Sequence, residues 1–144
     1  MIESDTIKLL RECDSGIKMG IESIDEVLPR VQNHKFKTIL EECKRRHSHL
    51  GKEIEELLHF YHDEGKEPPL MTRAMSWAKT NMKMAMECSD ENIAALMSEG
   101  CGMGIRSVYK YFHQYENANE DAKDAAKSLA KLEEKLVDEK KEFL

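Results

Sequence analysis

The chain has 144 residues, of which 40% are hydrophobic and 35% charged, with a formal net charge of −6. That length fits one domain with a core that needs no disulfide or structural metal; the mix is too apolar for a disordered chain and too charged for a membrane span. An acidic chain with interspersed signs also lacks the basic face that phosphate neutralisation requires, so nucleic acid is not expected as a partner.

Seven Gly and three Pro leave few turns for an all-β fold, and almost every segment carries a helical period. The opening residues, MIESDTIKLLREC, lack the basic and apolar regions of a signal peptide, which points to a cytoplasmic protein. Ser4 or Asp5 is the expected cap of a first helix. Its apolar stripe is Ile7, Leu10, Cys13, Ile17, Ile21, Ile24 and Leu28, and Pro29 ends it. Asn33 caps a second helix. Phe36, Leu40, Cys43, His47, Leu50, Ile54, Leu57 and Tyr61 step by fours and threes along it, the seam of a bundle. Gly65 is its expected stop. The basic run Lys44-Arg45-Arg46 follows Glu41 and Glu42 and reads as a solvated face.

Pro68 and Pro69 then break the chain, and a shorter Met-rich helix is expected over the next residues. Met71, Met75, Ala78, Met82 and Ala85 share one face of it, whereas Trp77, Met84 and Met86 fall off that face and form a candidate interface. Ser89 caps a third long helix with stripe Ile93, Leu96 or Met97, Gly100, Gly104, Val108 and Tyr111. Asn119 caps the last, where Ala122, Ala125, Leu129, Leu132, Leu136 and Phe143 are the expected buried side. Short links make antiparallel neighbours. The chain 1–144 therefore reads as one all-α domain, with helix pairs over 5–64 and 89–143 and a crossover over 65–88. The predicted fold class is a ferritin-like four-helix bundle, with a long crossover containing a short helix between helices 2 and 3.

GIKMGIESI at 16–24 repeats as GCGMGIRSV at 100–108, aligning Gly16 with Gly100 and Gly20 with Gly104. The internal repeat suggests two related helical hairpins. Each glycine inside a helix costs about 1 kcal/mol against alanine, so something must offset them. The expectation is that the first and third helices cross tightly, backbone on backbone, at Gly16, Gly20, Gly100 and Gly104; the other use of such glycines is room for a ligand.

Chemistry-bearing residues are sparse. A carboxylate-bridged di-metal centre needs Glu-x-x-His on two helices and a Glu on each of the other two. Glu56 and His59 supply one such pair, but off the seam, and the last helix has no His. Within the repeat, Glu22 aligns with Arg106 and Glu26 with Lys110, so the acids do not match. The remaining metal candidates are Cys43 and His47, one turn apart on the inner stripe, with Cys13 or Asp14 and Cys101 able to face them. The bland reading is a buried thiol and a satisfied core histidine. His34, His49, His59, His62 and His113 read as surface residues, and the four Cys (13, 43, 88 and 101) as free thiols. No nucleophile elbow, P-loop or dinucleotide fingerprint occurs.

The chain resembles a group of largely uncharacterised bacterial four-helix-bundle proteins, a domain of unknown function within the ferritin-like superfamily. The likeness rests on LLRECDSGIKMGIESI, Gly65, Glu67-Pro68, Trp77-Ala78-Lys79, Asp90-Glu91-Asn92-Ile93, Glu99-Gly100 and Tyr109. It implies the bundle with a long crossover and no established activity. The resulting expectation is a non-catalytic interaction or self-association module, a homo-oligomer or protein-binding scaffold with a stress-related role and no cofactor. The alternative is a metal-binding protein with a non-standard ion site near Cys43 and His47.

Overall fold

The computed structural model describes residues 2–65 and 89–144. Trp77, Met84, Met86, Cys88 and the short helix expected within the crossover lie outside the described residues. The described elements are α1 (Ile2–Val27), a 3-10 turn (Leu28–Arg30), α2 (His34–Phe60), α3 (Asp90–Gln114), α4 (Glu120–Glu139) and a closing 3-10 turn (Lys140–Phe143). No strand occurs among the described residues. None of their helices is long and apolar enough to cross a membrane.

The helix ends follow local chemistry with two corrections. Asn33 and Asn119 are extended and accept hydrogen bonds from Phe36 N and Ala122 N, each at 3.0 Å, as their cap assignment requires. Ser89 takes the extended cap conformation, but its side chain makes no cap bond. Ser4 and Asp5 do not cap α1, which already begins at Ile2. The Asp5 carboxylate instead accepts Asn117 N at 3.1 Å and the Thr6 hydroxyl accepts Asn119 N at 2.8 Å, so this turn holds the α3–α4 loop. Gly65 is not the residue that stops α2. The helix ends at Phe60, and His62 takes the left-handed conformation (φ 57°) while Asp63 N returns to Leu58 O at 3.0 Å. Gly65 has its own need for glycine: at φ 86°, a Cβ would lie 2.5 Å from the Asp14 carboxylate.

Contacts give the helix directions. α1 and α2 are antiparallel, with Gly51 against Ile17 and Gly20 against His47. Thr6 beside Asn119, Gly16 beside Leu129 and Gly20 beside Glu133 keep one constant offset, so α1 and α4 run parallel. The Asp90 carboxylate accepts Gln32 N at 2.9 Å and Asn33 N at 2.7 Å, which places the start of α3 next to the start of α2. The order is therefore up, down, down, up.

The seam is polar in the middle. One apolar cluster holds Ile24, Val27, Phe36, Leu40, Ile93, Met97 and Leu136; the other holds Leu9, Leu10, Ile17, Ile54, Leu58, Ala122, Ala126 and Leu129. Between them lie Gly20 of α1, His47 of α2, Gly104 of α3 and Glu133 of α4.

Candidate functional site

His47 and Glu133 meet at the centre of the bundle. His47 sits on the α2 seam between Cys43 and Leu50, and is 1% exposed. Its Nε2 donates to Glu133 Oε1 at 3.0 Å, and its Nδ1 donates to the Cys43 carbonyl, one turn back, at 2.8 Å. A ring that donates from both nitrogens is an imidazolium. Burial alone lowers the pKa of this imidazole. The hydrogen bonds to Cys43 and Glu133 and the Glu133 charge outweigh burial and hold it at about 10.

The pair extends towards α3. Cys101 is buried, and the fully buried Lys140 donates from Nζ to its Sγ at 3.5 Å. Burial and the nearby Glu133 charge push the Cys101 thiol far up, against the smaller opposing effect of Lys140. The Cys13 thiol is likewise pushed up to about 12 by burial and by the charges of Glu12 and Asp14. Both stay protonated at neutral pH, which makes them poor nucleophiles and poor metal ligands.

Gly20 and Gly104 border the buried pair. A Cβ on Gly20 would lie 2.9 Å from the His47 ring, and the atoms nearest a Cβ on Gly104 all belong to Glu133, at 3.6–3.8 Å. Gly16 faces Leu129 at 3.3 Å. The first and third helices do pack on one another, as expected, and the atoms nearest a Cβ at Gly20 or Gly104 are side chains of α2 and α4. Both glycines border side chains of other helices, and at Gly20 the missing Cβ makes room for the His47 ring of the buried pair. Gly100 is half-buried.

Of the metal candidates, Cys43 and His47 are adjacent, with Sγ 3.5 Å from Nδ1, and Cys101 joins the same network through Glu133. Cys13 belongs to the other apolar cluster, and Asp14 pairs with Lys18 at 2.9 Å. With both His47 ring nitrogens donating, neither offers a lone pair to a metal in this arrangement. Among the described residues no group of three or more His, Cys, Asp and Glu is placed to hold an ion. Glu56, His59 and the other histidines are exposed, as their sequence positions indicate.

Glu133 and Lys140 were not among the expected site residues, yet a signal for them exists. Ala122, Ala126, Leu129, Glu133, Leu136 and Lys140 step by four and three along one face, and all are buried. A charged residue at a seam position marks a polar core layer. Leu132, expected on that face, is only half-buried.

The raised imidazole predicts an alkaline loss of stability. Its folded-state value of about 10 lies above the ordinary 6.5, so its contribution is full below about pH 6.5 and disappears as pH rises through about 10. Thermal midpoints should fall across that window, with a slope of at most about 1.4 kcal/mol per pH unit from this group. His47→Gln should flatten the fall; an equal fall in both proteins would show that His47 is not its source.

No protein-family description, curated protein or solved structure matches the chain.

Proposed function

We propose that this chain is a non-catalytic, cytoplasmic helical bundle of ferritin-like connectivity that works by associating with its own copies. The observation that carries this reading is the second half of α3. Beyond Cys101 no residue of α3 is fully buried: Val108, Tyr111 and Phe112 pack half-buried against the core, and Met103 and Tyr109 face outward. Met103 and Tyr109 are 48% and 41% exposed. Apolar surface of this kind, alternating with charge, is the composition of an interface. The polar centre supports the same reading: its hydrogen bonds are made within the bundle, and burial keeps the Cys101 thiol protonated. An ion at Cys43 and His47 is the competing reading, and it would require His47 to release Cys43 O or Glu133.

The test is the solution mass measured by light scattering and sedimentation. Weight-average mass should rise above the monomer between about 1 µM and about 1 mM, the range of weak protein contacts. A constant monomer mass across that range overturns the reading.

A further inference from the structure

Resting on that self-association, we infer that copies join head to tail, with the outer stripe of α3 on one copy seated in the groove between α2 and α4 of the next.

The groove measures about 600 Å³ and lies between the last turns of α2 and the first turns of α4. It exists because α4 presents alanine there. Ala125 forms floor where a larger side chain would fill the gap. Leu57 and Phe60 supply apolar wall, and Phe60 is 76% exposed. Four carboxylates line it, Glu53 and Glu56 from one side and Asp121 and Asp124 from the other, and none of the described lining residues is basic. Glu53 pairs with the exposed His49 at 3.3 Å. Among the described residues Glu56, Asp121 and Asp124 have no ion-pair partner.

The complementary surface is on the same chain. Met103, Arg106, Lys110 and His113 step by threes and fours along the exposed side of α3, with Tyr109 stacked on His113. No acid occurs between Glu99 and Glu116. This stripe is therefore basic and aromatic where the groove is acidic and aromatic. No lining residue of the groove comes from α3, so the two surfaces do not meet within one copy. Seating the stripe in a second copy's groove brings Arg106 and Lys110 to unpaired carboxylates and gives Tyr109 or Met103 an apolar wall. Opposite charges across such a contact select the partner and its register. Two different patches make a heterologous contact, which leaves one stripe and one groove free at the ends of every open assembly. The contact is small, so the association is weak and concentration-dependent.

Two double variants test this. Arg106→Glu with Lys110→Glu removes the basic stripe and keeps the groove; Glu56→Lys with Asp124→Lys reverses the groove and keeps the stripe. All four positions are exposed, so both proteins should melt close to the parent. Each alone should associate at least about tenfold more weakly than the parent. Mixed, they should regain the parent's association, because the intact stripe meets the intact groove and the acidic variant stripe meets the basic variant groove. Parent-like association of either variant, or a mixture that stays monomeric, overturns the head-to-tail contact while a concentration-dependent parent mass leaves self-association standing. A parent that is monomeric throughout overturns both.

Discussion

Glu133→Ala is expected to destabilise the fold by about 3–5 kcal/mol, because it removes one partner of a buried ion pair and leaves the other behind. His47 would keep a charge at 1% exposure, with only the Cys43 carbonyl to receive it. Losing a proton from His47 relieves the charge but not the unsatisfied nitrogen. Denaturant unfolding measures the effect. The loss is a large share of a domain's net stability of about 5–15 kcal/mol. Removing both charged partners at once, as His47→Leu with Glu133→Leu, should cost less than the alanine variant alone, since apolar pairs of similar volume replace buried ion pairs well. A double variant weaker than the single one, or a change under about 1 kcal/mol for Glu133→Ala, would mean that the pair does not carry the middle of the core.

Gly20→Leu is the second large effect. Even a Cβ at Gly20 falls 2.9 Å from two atoms of the His47 ring, closer than real contacts allow. The ring is held at both nitrogens and packed between helices, so it cannot yield without breaking the bond to Glu133. Overpacking of this kind costs about 1–3 kcal/mol before the lost ion pair is added. The control is the other half of the repeat. A Cβ at Gly104 meets Glu133 at 3.6 Å, an ordinary contact, and at Gly102 it meets nothing within 4 Å. Gly104→Ala and Gly102→Ala should therefore keep or raise the melting temperature, since alanine is favoured by about 1 kcal/mol within a helix. Equal effects at Gly20 and Gly104 would contradict the role assigned to the His47 ring.

The two aligned glycines thus differ in consequence although they occupy matching places in GIKMGIESI and GCGMGIRSV. The repeat reports a shared level in the bundle. It does not report which neighbour lies closest. That depends on α2 supplying a rigid ring at one glycine and α4 a flexible carboxylate at the other.

Other elements divide in the same way. The caps at Asn33 and Asn119 are local chemistry, a side-chain oxygen reaching a nearby backbone N–H, and they are readable from neighbouring residues. Asp5 and Ser4 have the same chemistry available, but the fold assigns the Asp5 oxygen to Asn117, 112 residues away, and the helix starts earlier. Likewise Leu57 and Leu58 are equally apolar in the sequence, and only the packed bundle places Leu58 in the core and leaves Leu57 at the groove.

By itself the sequence determined that four long helices form, where most of them begin and end, and that Cys43 and His47 sit on an inner face, because these follow from periodicity and from contacts within a turn or two. Tertiary structure alone decided which partners meet Glu133 and Lys140, that Gly20 borders the His47 ring, and that acidic and basic faces lie apart. Burying a charge is favourable only when its partner arrives from another helix, and that arrival depends on how distant segments pack.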